Sequence, residues 1–531
     1  MARPSMSVAR TIWISRDSED SARGSTVTYY AIYVMIAKMA GGRAKVAIIG
    51  AGPGGIAMGI KLAAGGYDFT IFDRNDGFGG TWRNNTYPGA ACDVPSHFYS
   101  YSFALNPRWS KTFANQPEIL AYLEKVAADH RLGDRLVTRT RVTMLRWSDT
   151  ERRWTLETDD GGAHQFDAVV TAVGMLDVPH IPDIPGAERF HGRRFHSSRW
   201  DHTKSTAGER VASIGTGASA IQYVPEIASE TAHLIVFQRT PIWVSPRYDE
   251  PFTPEQHELF ERDPAAALKV RDEAFQAFES ANFGADSAMT TELTEIARGY
   301  LTRKVKDPEL RAKLTPAYPV GCKRPLQSRA WFPTFSLPNV ALETSPIVEF
   351  TERGLRTAEG AEHAVDTVIY GTGFHAADYL RSLDVYGTHG RRLRDDWREG
   401  AEAYLGTVVP GFPNLFTLYG PNTNGVTSII YILEAQAEFV RRTLDEMALR
   451  GVQAIDIKRG THDEYNADIQ RAMQDTVWLA NCNNYYRHPN GKVVTQFPYS
   501  GTKFVAMLAH VELDAFDQME ATPCQESTTL R

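Results

Sequence analysis

A glycine-rich turn directly after a short apolar strand is the feature that most constrains the fold of this chain. Residues 50–55 read GAGPGG and fit the pattern GxGxxG. They follow the predicted strand 45–49 and precede a predicted helix that runs to Leu62, and a second apolar strand, 69–72, comes next. This order of strand, glycine turn, helix and strand is typical of a parallel α/β sheet that holds a dinucleotide at the turn.

The three motif glycines have separate physical roles. Gly50 permits the tight turn, Gly52 lets the backbone approach a pyrophosphate, and Gly55 allows close contact between helix and strand. The second strand is followed by Asp73, about 20 residues further on, where a carboxylate accepts hydrogen bonds from a ribose diol. An ordinary glycine turn with a surface aspartate is the alternative, and the strand context and spacing favour the nucleotide site.

A second unit of the same order begins at the predicted strand 211–214. Residues 215–220 read GTGASA. Gly215 and Gly217 therefore occupy the first two motif positions, and Ala220 occupies the third, where alanine is a permitted substitution. The chain is thus predicted to contain two nucleotide-binding units.

The two units differ at the end of their second strand. After the strand 234–237 the chain has no carboxylate but Arg239 and Thr240. An arginine there pairs with a 2′-phosphate, which an aspartate such as Asp73 would repel, so the first turn fits FAD and the second fits NADPH. A solvated surface charge is the competing interpretation of Arg239.

These units predict an α/β fold with two Rossmann-like dinucleotide-binding domains and a helical insertion. Proline and glycine punctuate the connector between the units, and charged, helix-forming sequence makes up the insertion. In chain order we predict a disordered leader at 1–40, the first part of an FAD-binding domain at 41–186, an NADP-binding domain at 187–370 with the helical insertion at about 250–317, the second part of the FAD-binding domain at 371–520, and a tail at 521–531.

Composition excludes several classes of function. The 57 basic and 64 acidic residues give a net charge of −7, which argues against nucleic acid or an anionic membrane as the main partner. The apolar run 29–37 is too short to cross a bilayer, so we expect no membrane span and a cytoplasmic protein. The four cysteines contain no CxxC pair, which predicts no disulfide scaffold, no metal site and no redox-active dithiol. We expect Cys92 and Cys322 to be neighbours of functional residues without a redox role.

Two longer motifs resemble a known family. Residues 190–201 read FHGRRFHSSRWD and match FxGxxxHxxxW(P/D), and residues 79–93 read GGTWRNNTYPGAACD and match (A/G)GxWxxxx(F/Y)P(G/M)xxxD. Both patterns are fingerprints of the type I Baeyer–Villiger monooxygenases, which are class B flavin-dependent monooxygenases. The chain resembles this family from about Lys45 to Lys492. The resemblance implies FAD and NADPH as cofactors, and O2 and a ketone as substrates, the ketone becoming an ester or lactone through a C4a-peroxyflavin.

The same resemblance implies two catalytic residues. The family has an arginine in a Lys-Arg pair that holds the peroxide anion and polarises the ketone, and the matching segment 321–326 makes Arg324 the candidate. A fixed guanidinium beside a forming anion stabilises its charge, which supports this role. Asp93 resembles the carboxylate that orients the arginine, and Lys323 resembles a second contact to the 2′-phosphate. A simple salt bridge is the alternative for Arg324, and a solvated charge is the alternative for Lys323.

The remaining motif residues divide between cofactor binding and domain movement. Gly80, Thr81 and Trp82 belong to the second motif, and the resemblance assigns them to FAD binding. His196 and Trp200 lie in the connector between the domains. Because the chemistry needs no base at that position, we expect these two residues to act when the NADP domain closes.

Two other functions stay open from the sequence. The first is oxygenation of a sulfide or an amine, for which an arginine is less needed, so Arg324 and Asp93 favour the ketone. The second is a non-oxygenating NADPH oxidase. The stretch 481–486 lacks the Ser-Trp-Tyr form common in the family, and this part often closes over the substrate. The identity of the ketone, the regiochemistry and the oligomeric state do not follow from the motifs.

Overall fold

The structure is a computed structural model that describes residues 43–520 except 281–283, 285–286, 426 and 483. The predicted leader 1–40 and tail 521–531 lie outside the described residues. The strands are β1 (Lys45–Ile49), β2 (Asp68–Phe72), β3 (Leu136–Val137), β4 (Val142–Ser148), β5 (Arg153–Thr158), β6 (Ala163–Phe166), β7 (Ala168–Thr171), β8 (Arg193–His196), β9 (Arg210–Ile214), β10 (His233–Phe237), β11 (Val244–Ser245), β12 (Leu326–Gln327), β13 (Val340–Glu343), β14 (Ile347–Phe350), β15 (Gly354–Thr357), β16 (Glu362–Ala364), β17 (Thr367–Tyr370), β18 (Asp384–Tyr386), β19 (Leu415–Thr417), β20 (Val452–Ile457) and β21 (Phe516–Glu520). The α-helices are α1 (Pro53–Gly65), α2 (Thr81–Asn84), α3 (Gln116–Asp129), α4 (Ala220–Ala228), α5 (Pro254–Arg262), α6 (Pro264–Glu279), α7 (Ala288–Lys304), α8 (Pro308–Leu314), α9 (Trp331–Thr334), α10 (Leu393–Asp396), α11 (Ile429–Arg450), α12 (Arg459–Met473) and α13 (Gly501–Leu508).

The first sheet takes its strands from both parts of the chain that flank the second nucleotide unit. It is parallel, and its order is β19-β7-β1-β2-β3. Strands β1 and β7 are apolar along nearly their whole length and buried, because helices and neighbouring strands cover both faces of the sheet. Helix α11 packs against α1, and the side chain of Leu433 would lie 3.2 Å from a Cβ at Gly54. The C-terminal part of the chain therefore completes the domain that the first glycine turn begins.

The second sheet is also parallel, with the order β13-β10-β9-β17-β8. Strand β9 carries the second glycine turn at its carboxyl end, as β1 carries the first. Helices α5 to α8 form the predicted insertion between β11 and β12. Tyr300 and Leu301 of α7 are buried in one apolar cluster with Val224 of α4, so the insertion packs against the second domain. The residue boundaries between the domains stay predictions.

Two further findings concern expectations from composition. No helix among the described residues is both long and apolar enough to cross a bilayer. Cys322 and Cys482 form a disulfide, with their Cα atoms 6.4 Å apart and 160 positions between them in the chain. The expectation that Cys322 is only a neighbour of functional residues is therefore wrong, because Cys322 forms a disulfide. The sequence did not show this bond, since folding brings together two cysteines that no local spacing connects.

Candidate active site

Both glycine turns open into one cavity of about 1050 Å³. Apart from Gly55 and Ala220, each residue that the sequence predicts for the site lines this cavity: Gly50, Gly52, Asp73, Gly80, Thr81, Trp82, Asp93, Gly215, Gly217, Arg239, Thr240, Lys323 and Arg324. Gly55 and Ala220 are buried behind the turns, where the motif places its third position. The structure thus brings two nucleotide turns and one arginine–carboxylate pair to the same space.

Sterics explain the glycines of the first turn. Gly50 has φ +108°, and a Cβ there would lie 2.6 Å from the carbonyl oxygen of Ala172, the residue that directly follows β7. A Cβ at Gly55 would lie 1.8 Å from the carbonyl oxygen of Gly50. Side chains at these positions would push α1 away from the sheet, so the amino-terminal end of α1 could no longer face the cavity.

The second motif lies directly against the first turn. Gly80 has φ +54°, and a Cβ there would lie 2.7 Å from the Cα of Gly52. Thr81 then begins α2, and Trp82 donates a hydrogen bond from Nε1 to the hydroxyl of Tyr99 at 2.9 Å. This close approach of two backbones sets Thr81 and Trp82 beside the turn, on the wall of the same cavity.

Asp73 is fixed at the end of β2 by backbone amides. Its Oδ2 accepts from the amide of Ala51 at 2.6 Å, and its Oδ1 accepts from the amide of Asn75 at 2.7 Å. The side chain is buried at the rim of the first turn. An ionised carboxylate has further lone pairs, so Asp73 can accept from a diol while it holds the turn.

The second turn repeats this geometry and leaves its middle glycine open. Gly215 has φ +106°, and a Cβ there would lie 2.4 Å from the carbonyl oxygen of Gly371. A Cβ at Gly217 would meet no atom of the described residues within 4 Å. Ala220 begins α4 and is fully buried. The open face of Gly217 is the place where a ligand can approach the backbone.

Two cations face the cavity beside the second turn. Arg239 is exposed and follows β10, and Lys323 is half-buried with its Nζ 5.1 Å from the ring centre of Tyr318. Burial and the positive charge of Arg239 lower the pKa of Lys323 below its usual range. Within the part of the chain that the structure describes, neither cation has an ion pair with a carboxylate. Two neighbouring cations without a counterion form a site for an anion.

Arg324 and Asp93 form a bidentate pair. Arg324 donates from Nε to Oδ2 of Asp93 at 2.8 Å and from Nη2 to Oδ1 at 2.8 Å. The side chains stay 40% and 33% accessible, which leaves the guanidinium reachable from the cavity. Burial raises the pKa of Asp93, but the charge and hydrogen bonds of Arg324 outweigh it, so this pKa lies below its usual range. The carboxylate in turn raises the pKa of Arg324, so both groups are charged at neutral pH.

The segment that carries Asp93 is held by side chains of the second domain. Gln222 of α4 donates from Nε2 to the carbonyl oxygen of Ala91 at 3.0 Å and accepts from the hydroxyl of Tyr87 at 2.9 Å. Arg247 donates from Nη2 to the carbonyl oxygen of Cys92 at 2.9 Å. Neither Gln222 nor Arg247 was predicted from the sequence, because contacts across 131 and 155 positions leave no local pattern.

Comparison with known proteins identifies the family. The protein-family model described as "Pyridine nucleotide-disulphide oxidoreductase" matches residues 47–272. A Baeyer-Villiger monooxygenase of Pseudomonas aeruginosa is 40% identical over 485 residues, which are 90% of this chain and 92% of that protein. The chain belongs to the Baeyer–Villiger monooxygenase family.

Solved structures agree with this assignment. OTEMO in complex with FAD and NADP is 27% identical with a TM-score of 0.82, and the match covers 90% of this chain and all of that one. Cyclohexanone monooxygenase from Rhodococcus sp. Phi1 bound to NADP+ is 29% identical with a TM-score of 0.82, over 90% of this chain and 99% of that one. The predicted Baeyer–Villiger family and the predicted fold with two dinucleotide-binding domains are confirmed.

The motif histidine of this Baeyer–Villiger family member lies outside the cavity. His196 accepts at Nδ1 from the amide of Ser198, so its proton is on Nε2, which donates to the carbonyl oxygen of Gly373 at 2.9 Å. Burial lowers the pKa of His196 to about 4, which keeps the ring neutral. Trp200 packs against Phe195. Because His196 joins the end of β8 to Gly373 in the loop that follows β17, its predicted part in domain movement stays a prediction that this geometry allows.

Proposed function

We propose that this protein binds FAD at the first glycine turn and NADPH at the second, and uses them with O2 to convert ketones into esters or lactones. The observation that carries this proposal is the charged Arg324–Asp93 pair, which reaches the cavity that both turns line. The names of the relative and of the solved monooxygenases support the same chemistry. We place the reaction in the cytoplasm, where NADPH is available.

The binding residues fit the two dinucleotides. The amino-terminal ends of α1 and α4 each present backbone amides to a pyrophosphate. Asp73 accepts from the ribose diol of FAD, while Arg239 and Lys323 bind the 2′-phosphate of NADPH. No carboxylate of the described residues pairs with either cation, so a bound 2′-phosphate would neutralise them, and the open face of Gly217 leaves room for the pyrophosphate.

The arginine–carboxylate pair supplies the electrostatics of oxygen transfer. Bound at the first turn, FAD would supply the acceptor for the hydride of NADPH and the group that activates O2. Arg324 places a permanent positive charge where negative charge accumulates on the reacting oxygens, and this polarises the ketone carbonyl. Asp93 holds the guanidinium in one orientation through two hydrogen bonds, so no reorganisation is needed when the charge develops.

Heteroatom oxygenation and simple NADPH oxidation are the competing outcomes. Neither needs a fixed guanidinium at the reacting oxygen, so neither accounts for a pair that is both charged and accessible. We infer that an aryl sulfide will be a poorer substrate than a ketone of similar size.

Product analysis tests the proposal. The FAD-loaded protein is incubated with NADPH and a panel of linear, cyclic, aromatic and steroidal ketones plus an aryl sulfide, and the products are separated by mass spectrometry. We expect ester or lactone from at least one ketone, with NADPH consumed in proportion. Sulfoxide alone, or hydrogen peroxide without any organic product, would contradict the proposed reaction.

A further inference from the structure

The disulfide between Cys322 and Cys482 lies at the edge of the proposed active site. Cys322 immediately precedes Lys323 and Arg324, and Cys482 belongs to the C-terminal segment that also contributes Asn484 and Tyr485 to the cavity wall. Their Cα separation of 6.4 Å is within the range that a disulfide spans without backbone movement. The bond therefore ties the loop of the catalytic arginine to a wall of the cavity.

Trp478 and Tyr486, near the two ends of the C-terminal segment, are buried in the same apolar cluster as Cys322. Asn484 donates from Nδ2 to the carbonyl oxygen of Cys322 at 3.0 Å. Tyr485 lies close enough to Arg324 to contribute to the raised pKa of the arginine, although the tyrosine side chain is itself exposed. Between these two buried residues, the hydrogen bond of Asn484 and the covalent bond of Cys482 join the segment to the loop of Arg324.

The two sulfurs differ in access. Cys322 is fully buried, whereas Cys482 is half-buried. A thiolate reductant therefore attacks Cys482, and Cys322 is the leaving sulfur. Cys322 Sγ lies 3.6 Å from the carbonyl oxygen of Ala480, so once protonated it has an acceptor for its S–H. The structure thus accommodates the reduced state as well as the disulfide.

We propose that the Cys322–Cys482 bond is a redox latch that holds residues 478–482 and 484–487 over Arg324 and so controls how tightly NADPH consumption is coupled to oxygenation. This inference rests on the proposed function. Disulfides in reducing compartments are characteristically transient and act in redox sensing, which is the behaviour that a latch requires.

The chemistry of the latch balances with hydrogen peroxide as the oxidant. On closing, the two thiols lose two electrons and two protons, the S–S bond forms, the O–O bond breaks, and two waters leave. On opening, a dithiol forms a mixed disulfide with Cys482 and releases Cys322, which takes a proton; the second thiol of the reductant then frees Cys482 and leaves as a disulfide. Since O2 reduced by NADPH without oxygen transfer ends as hydrogen peroxide, uncoupled turnover produces the oxidant that closes the latch.

Open and closed states predict different turnover. In the closed state Asn484 and Tyr485 stay against the arginine loop and shield the reacting oxygens from water. In the open state the segment moves more freely, so more NADPH is spent on hydrogen peroxide and less on ester. We expect the ester formed per NADPH to fall by at least about threefold on reduction.

The test compares two redox forms of the same FAD-loaded full-length protein. Both samples are reduced with dithiothreitol and desalted. One of them is then treated with hydrogen peroxide. Thiols are counted after denaturation, the cross-linked peptides are mapped, hydrogen exchange is followed over 478–487, and ester and peroxide are measured per NADPH. Cys482→Ser serves as a permanently open variant, and Cys524→Ser, at a position outside the described residues, is its matched control.

The expected result is four thiols in the reduced form and two in the oxidised form of this four-cysteine chain, with Cys322 linked to Cys482. Oxidation should slow exchange in the segment and raise coupling in the wild type and in C524S, but not in C482S. Four thiols after peroxide treatment, or equal exchange and coupling in the two forms, would overturn the latch. If no form makes ester while thiols, exchange and peroxide release still switch, the latch stands and the proposed ketone chemistry fails.

Discussion

Coenzyme choice follows from the two cations beside the second glycine turn. A charge-assisted hydrogen bond contributes about 1.5–3 kcal/mol, which corresponds to roughly 10- to 150-fold in affinity. Arg239 is exposed and solvent screens it, so we expect Arg239→Ala to weaken NADPH binding by about 10-fold, at the lower end of this range. Lys323 is half-buried, so we expect Lys323→Ala to weaken it by about 50-fold. NADH, which has no 2′-phosphate, should bind both variants as it binds the wild type.

NADPH binding should also depend on pH, because Lys323 can lose its proton. Only the protonated Lys323 attracts the 2′-phosphate, and burial together with Arg239 lowers the pKa of this lysine. NADPH affinity should therefore be full below that lowered pKa and fall as the pH rises through it. In the Arg239→Ala variant the repulsive charge is gone, so the pKa of Lys323 rises and the loss of affinity shifts to higher pH.

The dependence of the flavin reduction rate on NADPH or NADH concentration gives the affinity for each coenzyme. Measured across an alkaline pH series, it reports both effects. Lys304→Ala is the control, because Lys304 is exposed at the end of α7 and does not line the cavity. No preference for NADPH over NADH in the wild type, or an alkaline fall in affinity that does not move in Arg239→Ala, would show that Arg239 and Lys323 do not bind the 2′-phosphate together.

Three further variants test other parts of the site. Asp93→Asn keeps the shape but removes the charge and one acceptor, so ester formation should fall by about 10- to 100-fold while flavin reduction continues; product analysis checks this, and an unchanged ester rate would argue against a positioning role. Asp73→Ala should lower the flavin retained after gel filtration, measured by absorbance against the exposed control Asp76→Ala, and wild-type flavin content would remove the ribose role. Gln222→Ala leaves the carbonyl of Ala91 without its side-chain donor and should lower ester formation by about threefold at unchanged flavin content; no change would mean that the segment of Asp93 is held adequately by other contacts.

Local chemistry made the architecture predictable from sequence. The strand 45–49 has the predicted bounds, and the strands predicted at 69–72, 211–214 and 234–237 each begin one residue earlier, because apolar runs next to glycine turns have few alternatives. The helix predicted to run from the first glycine turn to Leu62 spans Pro53–Gly65 and ends before a left-handed Gly66. Buried parallel strands and their turns are thus determined by short stretches of sequence.

The site was predictable only where a motif or a strand end carries it. Asp73 and Arg239 follow from their position after a strand, and Arg324 and Asp93 follow from the family resemblance, which the structure supports by bringing the pair together. Contacts set by the arrangement of the domains left no such pattern. Gln222, Arg247 and the Cys322–Cys482 bond connect segments that are distant in the chain, so their partners become visible only in the folded protein.

We expect Arg324 to act in oxygen transfer and not in flavin reduction. A single-turnover experiment with the FAD-loaded Arg324→Ala variant, NADPH and a ketone that the wild type accepts measures flavin reduction by absorbance and ester by mass spectrometry. Arg329→Ala, an exposed arginine paired with Glu250, is the matched control. We predict flavin reduction within about twofold of the wild type and ester reduced by at least about 100-fold. Ester at the wild-type yield from Arg324→Ala would contradict a role of Arg324 in oxygen transfer.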